Sequence, residues 1–292
     1  MNVYNGEKYL RESINSILAQ SYKNWELIFW DNNSSDSSKN IFYEYKDKRL
    51  KYFFFKKKIK LYESRNLAIK KCKGELIAFL DQDDLWLKNK LKKQVELFNN
   101  KDVGLVYSNY YKWDQKKLFF KKRLLTNVPL PEGKITNFLL KKYVVGICTI
   151  VIKKSFLVKK KVFNPKFNML SDFLFVLNFS LNANFKCIQE PLAIYRYHGS
   201  QMSSVYFNNT ARDFTKLLNS KNEIKKFKKF NNFIYLIERA KFIKTINFLE
   251  KGKKLIALKN LFSFSSKINK IKIILRIILS KKIYHLLFGE FY

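Results

Sequence analysis

Up to about residue 110, short apolar runs that suit strands alternate with runs that suit helices. The strand-like runs are residues 26–30, 51–55, 75–80 and 104–108. Between them, apolar residues recur every three or four positions with lysines on the opposite face, as at Leu87, Leu91, Val95 and Phe98. Alternation of this kind predicts an α/β fold in which helices cover both faces of a mainly parallel sheet.

The pattern changes twice after residue 110. Residues 112–135 are polar, rich in lysine and contain Pro129, Pro131 and Gly133, so we predict a loop there. Strands are predicted at 144–152, 185–188 and 192–197, and a helix at 171–181. From residue 208 onward only helical patterns remain. We therefore predict one domain over residues 1–205 and a basic, helical region over residues 206–292.

Composition narrows the class of protein. Hydrophobic residues make up 47% of the chain and aromatic residues 17%, which excludes disorder throughout. The chain has 58 Lys and Arg against 23 Asp and Glu, a net charge of +35, which favours anionic partners such as membranes, nucleic acid or phosphorylated substrates. Abundant Lys, Asn, Ile, Phe and Tyr are also what an AT-rich genome encodes, so the charge does not choose among these partners.

The spacing of the cysteines and the hydropathy of the chain indicate where in the cell the protein is located. Cys72, Cys148 and Cys187 lie far apart and form no CxxC pair, so neither a disulfide framework nor a zinc site is expected. The longest apolar stretch, residues 271–279, contains Lys272 and Arg276 and is too short to span a bilayer. These features predict a cytoplasmic protein.

Two polar clusters follow predicted strands, where an α/β sheet places its functional loops. One is residues 31–36 and the other is residues 81–84. Asp81 and Asp83 are two positions apart, so in an extended chain both point the same way and suit Mg²⁺ or Mn²⁺. A cation at such a site can act as a Lewis acid that neutralises the negative charge of a diphosphate leaving group. The alternative is that Asp83 or Asp84 caps the following helix.

These motifs resemble a known family. Residues 73–84 are similar to the strand and DxD motif of the family 2 glycosyltransferases, which have the GT-A fold. Further similarities follow the family's order, at residues 3–7, 18–22, 31–36 and 64–66. The resemblance covers about residues 2–200 and implies an inverting, metal-dependent transfer from a nucleoside-diphosphate sugar, with Mn²⁺ or Mg²⁺ bound by Asp81 and Asp83.

The resemblance also implies a donor site. Tyr4 stacks on or flanks the nucleobase, and Asp31 with Asn32 contacts the base and the ribose. Asn32 stands where many members have Asp, and its amide retains an acceptor oxygen while adding donors. Arg65 binds the base or the diphosphate, unless it is an exposed arginine on a helix surface. Helix capping by residues 32–36 is compatible with this donor role.

Two further elements complete the site that the resemblance implies. Asp172 opens the helix at 171–181, where the family places its general base, and a helix N-terminus favours an ionised carboxylate. The alternative is a capping carboxylate without chemistry. Arg196 and His198 lie in a Tyr-Arg-Tyr-His run and are expected to contact the diphosphate and the metal, the alternative for His198 being a structural or solvated histidine.

The beginning of the sequence departs from the family. An apolar first strand ending in Pro-Val-Tyr-Asn is usual, and Met1 and Asn2 stand in its place. We expect an upstream segment to complete this strand, the alternative being a damaged copy.

The last helical pattern places Ile271, Ile274, Leu275 and Ile278 on one face, which suits either an anionic membrane near a lipid-linked acceptor or packing on neighbouring helices. The function predicted is transfer of a sugar to a hydroxyl of a cell-surface glycan or lipid-linked acceptor, at the inner face of the cytoplasmic membrane and without specific nucleic acid. The alternatives are a truncated, non-catalytic relative and a basic polyanion-binding protein.

Overall fold

The computed structural model describes residues 1–115, 122–157, 162–199, 201 and 207–279. The chain divides into two compact units, Met1–Gln201 and Met202–Tyr292. The predicted boundary near residue 206 lies outside the described residues.

A parallel sheet of three strands opens the first unit. Its order is β1 (Asn2–Val3), β2 (Leu27–Asp31) and β3 (Leu50–Phe54), joined by helices α1 (Glu7–Leu18) and α2 (Ser38–Glu44). All five residues of β2 are buried, as expected for a strand covered on both faces. The predicted strands at 26–30 and 51–55 are confirmed as β2 and β3, each within one residue.

A second, mixed sheet follows helix α3 (Leu61–Lys71). Its strand order is β4 (Leu76–Ala78), β8 (Val151–Lys153), β6 (Val103–Asp114), β9 (Asn184–Tyr197) and β5 (Leu85–Trp86). Strand β7 (Lys122–Leu124) pairs with β6, and helices α4 (Lys90–Glu96), α5 (Thr136–Lys141) and α6 (Ser171–Ser180) complete the unit. Among the described strands of this sheet, only β6 and β9 pair in parallel, so the expected mainly parallel arrangement describes the first sheet and not the second.

Three local predictions differ from the structure. The predicted loop at 112–135 contains the end of β6 and all of β7. The predicted strand at 144–152 is short, because a 3₁₀ turn at Ile147–Thr149 precedes β8. The two strands predicted at 185–188 and 192–197 are one strand, β9, whose pairing with β6 shifts register near Pro191. A proline has no N–H for the ladder and is tolerated at such an irregularity.

The second unit is helical. Its described helices are α7 (Phe207–Asn219), α8 (Lys221–Lys225), α9 (Phe233–Glu250), α10 (Lys254–Leu261) and α11 (Lys267–Ile278). Ile246, Phe264 and Ile273 form a buried core among the last three helices. Within the ranges that the structure describes, no helix has the length and apolarity needed to cross a membrane.

Candidate active site

The polar clusters predicted from the sequence lie at the carboxyl ends of β1, β2 and β4. Tyr4 follows β1, residues 32–36 follow β2, and residues 81–84 lie between β4 and β5. Loops beyond these strand ends are where open α/β sheets bind ligands. Helix α6 and the end of β9 bring Asp172 and His198 to the same unit from distant parts of the chain.

The turn after β2 is built around the carboxylate of Asp31, which is only 1% exposed. One carboxylate oxygen accepts the N–H of Ser34 at 2.8 Å and the other accepts the hydroxyl of Tyr52 at 2.7 Å. Burial, together with the Asp31 carboxylate, raises the pKa of Tyr52, so this hydroxyl stays a donor at neutral pH. Asp31 therefore shapes the turn that presents Asn32 and Asn33.

Asn32 and Tyr4, which were predicted to hold the base, contact the connection between β3 and α3. The Asn32 amide donates to the carbonyl of Ile59 at 2.7 Å and accepts the N–H of Ile59 at 3.2 Å. The ammonium of Lys58 lies 3.5 Å from the centre of the Tyr4 ring, a cation–π distance. The backbone of Ile59 thus offers Asn32 an N–H and C=O pair, the same polar pattern as the edge of a nucleobase.

The starts of α1 and α2 are joined by their acidic residues. Asp36 accepts the N–H groups of Glu7 and Ser38 at 2.9 and 3.0 Å, and Glu7 accepts the N–H of Ser37 at 2.9 Å. These bonds satisfy N–H groups that have no partner within a helix. The N-caps of α1 and α2 are Gly6 and Ser37, so Asp36 satisfies N–H groups at the helix starts without being the capping residue.

The loop at 81–84 is held from α1 and from the turn after β1. The Ser13 hydroxyl lies 2.8 Å from the carbonyls of both Gln82 and Asp84. The Gln82 side chain accepts the N–H of Tyr4 at 2.8 Å and donates to its carbonyl at 3.2 Å. The acidic loop and the predicted base-stacking residue are thus fixed to each other.

Arg65 is buried and bound to the acidic loop. Its guanidinium is 3% exposed, donates to Asp81 at 2.5 Å, and lies 5.4 and 5.6 Å from the ring centres of Tyr62 and Phe163. The alternative of an exposed arginine on a helix surface is wrong. Because Asp81 keeps 28% of its side chain exposed, the Arg65–Asp81 pair combines a buried cation with an accessible carboxylate.

Asp83 is bound to the end of β9. Its carboxylate lies 3.0 Å from Nε2 of His198, and the imidazole packs against Tyr9 with ring centres 4.8 Å apart. The alternative that Asp83 or Asp84 caps the next helix is wrong, because the residues after Asp84 form β5 and α4 begins later, with Asn89 as its N-cap.

Arg196 is more deeply buried than its predicted contact with a diphosphate suggests. Its side chain is 1% exposed and lies between Tyr9 and Trp113, with ring centres at 4.5 and 4.8 Å. The guanidinium binds both carboxylate oxygens of Glu12, at 3.2 and 2.9 Å, and donates through Nε to the carbonyl of Asp83 at 2.9 Å. In this geometry Arg196 supports the backbone of the acidic loop.

Asp84 is the buried member of the acidic loop, at 1% exposure. It accepts the N–H of Arg196 at 2.9 Å and hydrogen-bonds the Cys148 thiol. Burial, followed by the charges of Asp83 and Asp81, raises the pKa of Asp84 well above its ordinary value. Asp84 therefore has a supporting position, while Asp81 and Asp83 remain partly exposed.

Asp172 lies in the first turn of α6 near Arg65 and Tyr62. Its carboxylate accepts the N–H of Phe173 at 2.7 Å and a hydrogen bond from the Tyr62 hydroxyl. Burial raises the pKa of Asp172, and the Arg65 cation and these hydrogen bonds oppose that rise. The N-cap of α6 is Leu170, so Asp172 is not the capping residue, although it satisfies one N–H of the first turn.

The donor atoms present suit a divalent cation. Asp81 and Asp83 supply partly exposed carboxylates, and His198 supplies an imidazole beside Asp83. In the part of the chain that the structure describes, no group of three or more His, Cys, Asp or Glu side chains is arranged to hold a metal ion. Magnesium commonly takes only one or two protein carboxylates and completes its shell with water and phosphate oxygens, so two ligands from the chain are enough.

Several supporting residues were not predicted from the sequence. Glu12 and Ser13 on α1, Lys58 in the β3–α3 connection and Tyr62 on α3 each contact a predicted site residue. None belongs to a recognisable motif. The one available signal is that Glu12 and Ser13 lie on a helix between two matched segments, which does not indicate their partners.

Known proteins similar to this chain share its fold. The solved structure of TarS 1–349 from S. aureus with UDP-GlcNAc has a TM-score of 0.60 at 18% identity, covering 89% of this chain and 87% of that one. The mannosyltransferase PcManGT from Pyrobaculum calidifontis, solved with GDP-Man and Mn²⁺, has a TM-score of 0.63 at 14% identity, covering 98% and 81%. The resemblance to GT-A glycosyltransferases is therefore confirmed at the level of the fold.

Sequence comparison supplies the family. The chain is 30% identical over 203 residues to the UDP-Glc:alpha-D-GlcNAc-diphosphoundecaprenol beta-1,3-glucosyltransferase WfgD of Escherichia coli, covering 70% of this chain and 77% of WfgD. It is 29% identical over 153 residues to the putative teichuronic acid biosynthesis glycosyltransferase TuaG of Bacillus subtilis, covering 52% of this chain and 59% of TuaG. The model of the glycosyl transferase family 2 matches residues 1–164, and the chain belongs to that family.

Proposed function

We propose that this glycosyltransferase moves a sugar from a nucleoside-diphosphate sugar to a hydroxyl of a cell-surface glycan or lipid-linked acceptor, with inversion at the anomeric carbon. The observation that carries the proposal is the cluster of Arg65, Asp81 and Asp172, in which a buried cation links an accessible carboxylate to a second carboxylate of raised pKa. The relatives support the substrate class, since WfgD is named for a diphosphoundecaprenol acceptor and TarS was solved with UDP-GlcNAc.

In this proposal the donor lies over the ends of β1, β2 and β4. Tyr4 flanks the nucleobase, Asn32 contacts the nucleobase and ribose, and Arg65 with Asp81 faces the diphosphate. Asp31, predicted to contact the base and ribose too, is 1% exposed and bonded to Ser34 and Tyr52, which favours an indirect effect through the turn that it shapes. Tyr4 is 37% exposed and therefore accessible to a ring. Arg196 was also predicted to contact the donor. Because its side chain is buried, we propose that it acts indirectly, by holding the carbonyl of Asp83 and with it the acidic loop.

Asp172 is the proposed general base. Its carboxylate takes the proton of the acceptor hydroxyl as that oxygen bonds to the anomeric carbon, and the nucleoside diphosphate leaves with the bonding electron pair. A raised pKa suits this task, because a base works best when its pKa lies near the operating pH.

A divalent cation, Mn²⁺ or Mg²⁺, is the proposed cofactor. Asp83 with His198, and Asp81, are the residues that would hold it, and it would supply Lewis-acid neutralisation of the leaving diphosphate. PcManGT was solved with Mn²⁺, which supports the choice of metal. The chain's own part is to keep the two carboxylates oriented, through Arg65 for Asp81 and through His198 and the Arg196 bond for Asp83.

The proposed location is the inner face of the cytoplasmic membrane, where a lipid-linked acceptor and a nucleotide donor meet. The net charge of +35 is compatible with an anionic bilayer surface, and no specific nucleic-acid partner is proposed.

Sugar-nucleotide hydrolysis tests the proposal most directly. A panel of nucleoside-diphosphate sugars, each with and without Mn²⁺, should identify one donor that is turned over in the presence of the metal. Asp83→Ala should lower that turnover by about a hundredfold or more, because the charge of the leaving group is no longer offset. The exposed Asp102→Ala is the matched control and should leave turnover unchanged. Equal turnover by Asp83→Ala and the unsubstituted chain refutes the metal role.

A further inference from the structure

Helices α10 and α11 expose an unusual number of large apolar side chains. On α10 and the turn after it, Leu255 is 76% exposed, Ile256 and Leu258 are each 40% exposed, and Phe262 is 91% exposed. On α11 the exposed side chains recur every three or four residues, which places them on one face of the helix: Ile268, Ile271, Ile274 and Ile278. We refer to these eight side chains as the α10–α11 surface. Apolar patches of this kind on a protein surface usually mark an interaction site.

Each of the two helices uses its other face for the core of the second unit. Ile273 of α11 is fully buried against Ile246 and Phe264, and Ala257 of α10 is also fully buried. Glu238 on α9 accepts the N–H groups of Ser265 and Ser266 at 3.1 and 3.3 Å, which orients the start of α11. The exposed isoleucines are therefore not core residues left outside by a loosely placed helix.

The charge around this surface has a single sign. Residues 251–279 contain no Asp or Glu, and their basic residues are Lys251, Lys253, Lys254, Lys259, Lys267, Lys270, Lys272 and Arg276. Arg276 pairs with Glu250 at 2.7 Å, and Glu250 and Glu238 are mostly buried, so neither carboxylate offsets the lysines at the surface. At 100° per residue, Lys270 and Lys272 lie on either side of the stripe formed by Ile271, Ile274 and Ile278.

This combination favours a bilayer over other occupants. An apolar stripe flanked by lysines is the pattern of a helix that lies in the interface of an anionic membrane. A second copy of the chain would bring the same lysines against each other, at a cost in like-charge repulsion. Nucleic acid would neutralise the lysines, but its phosphate backbone would leave the isoleucines exposed to water.

We propose that the α10–α11 surface is a membrane-docking surface, with Phe262 and the isoleucines of α11 inserted among the acyl chains of an anionic bilayer and the surrounding lysines at its phosphate groups. The inference deepens the proposed function, since a lipid-linked acceptor lies in such a bilayer, but it needs no sugar transfer to be tested.

The test is co-sedimentation of the full chain with vesicles of phosphatidylcholine alone or with one third phosphatidylglycerol. We expect strong binding to the anionic vesicles and a marked loss of binding between about 0.1 M and about 0.5 M salt, since screening weakens the lysine contribution. Equal binding to both vesicles, or binding to neither, overturns the proposal. Self-association of the chain that disappears with the same substitutions as below, without vesicle binding, would assign the surface to a second copy.

Two sets of variants locate the surface. Phe262→Ser with Ile271→Ser should lower the partition coefficient by at least about tenfold, whereas Tyr43→Ser with Val128→Ser, which removes two exposed apolar side chains of the first unit, should leave it unchanged. Replacing Lys259, Lys267 and Lys270 by Gln avoids the packed face and should lower it by about fivefold per residue. Unchanged partitioning in both test variants contradicts the proposal.

Donor hydrolysis in lipid-free solution separates the two ideas. The serine and glutamine variants should hydrolyse the donor as fast as the unsubstituted chain. A chain that binds anionic vesicles but hydrolyses no nucleotide sugar would refute the proposed function and leave the docking surface standing.

Discussion

Arg65 is the residue on which the proposed chemistry of the candidate site depends most, through its guanidinium group. It is buried beside the rings of Tyr62 and Phe163 and bound to Asp81, and its charge opposes the rise that burial causes in the pKa of Asp172. A buried cation needs such partners, because an uncompensated charge in the interior is costly. Arg65 therefore pairs with Asp81 and moderates the effect of burial on the pKa of Asp172.

Asp172→Asn tests the proposed base. An amide has no basic oxygen for the acceptor proton, so transfer should fall by about 10²- to 10⁴-fold. Donor binding, measured by calorimetry with the nucleoside diphosphate, should be nearly unchanged because the donor contacts lie elsewhere. A variant that loses donor affinity in proportion to its rate would show that Asp172 acts in binding and not as a base.

Tyr62→Phe tests the environment of that base. The Asp172 pKa is raised by burial, so activity should be lost as the pH falls through a value above the ordinary 3.8 of an aspartate. The Tyr62 hydroxyl lowers this pKa by donating to the carboxylate, and its removal should move the acidic limb of the pH–rate profile to higher pH. Tyr43→Phe, at an exposed tyrosine, is the control and should not move it. An acidic limb that stays in place in Tyr62→Phe contradicts the assignment.

Two elements decide how the acidic loop and the donor pocket are presented. The end of β9 holds the acidic loop at three points, through the Arg196 side chain to the carbonyl of Asp83, its backbone to Asp84, and His198 to the Asp83 carboxylate. The β3–α3 connection contacts the predicted base pocket through Lys58 and Ile59. A nucleobase that binds the Asn32 amide must replace the hydrogen bonds between Asn32 and Ile59. The affinity for the donor therefore includes the free-energy cost of moving the β3–α3 connection.

Glu12→Ala should weaken the hold of β9 on the loop. The substitution leaves the buried Arg196 cation without its carboxylate partner. Breaking a fully buried ion pair costs about 3–5 kcal/mol in the free energy of unfolding. Because Glu12 is half exposed, we expect a smaller loss of about 2 kcal/mol. Transfer should fall as well, since the Asp83 carbonyl loses its fixed donor. Glu44→Ala breaks the exposed ion pair between Glu44 of α2 and Arg11 of α1 and should lower the free energy of unfolding much less, because solvent screens this pair. Equal losses in the two variants, measured by urea denaturation, would contradict the supporting role of Arg196.

Stability of the whole molecule should depend on pH through a buried lysine. Lys90 is fully buried, donates to Gln94 at 2.6 Å, and burial lowers its pKa from 10.5 to about 7. Between these values the unfolded chain binds the proton and the folded chain does not, so the free energy of unfolding should rise with pH there.

Lys90→Met removes this dependence. Relative to the variant, the unsubstituted chain should gain up to about 1.4 kcal/mol per pH unit as the pH rises from about 7 toward 10. Denaturation curves at several pH values measure the difference, with the exposed Lys92→Met as the control. A difference between the chain and Lys90→Met that is constant with pH would show that Lys90 is charged in the folded state.

Much of the architecture was predictable because it follows from local patterns. Apolar runs and helical spacing indicated β2, β3, α4 and the site loops, and the motif order indicated the family. Strand β9 and the short β8 were predicted incorrectly, because their lengths depend on pairing with β6, a contact between residues distant in sequence. Among the candidate site residues, Asp81, Asp83 and Asp172 were predicted from residue type and position. Glu12 and Tyr62 were not predicted, because their partners lie far along the chain.

The sequence by itself determined the kind of fold, the acidic residues available for chemistry and the positive charge of the helical region, since each is a property of spacing or composition. Only the tertiary structure decided that Arg65 is buried against Asp81, that Arg196 supports the loop from within, and that Ile271, Ile274 and Ile278 of α11 are exposed while Ile273 is buried. The reason is that burial and ion pairing are set by which distant segments pack together, and the free energy of a charged or apolar side chain depends on those neighbours more than on its own identity.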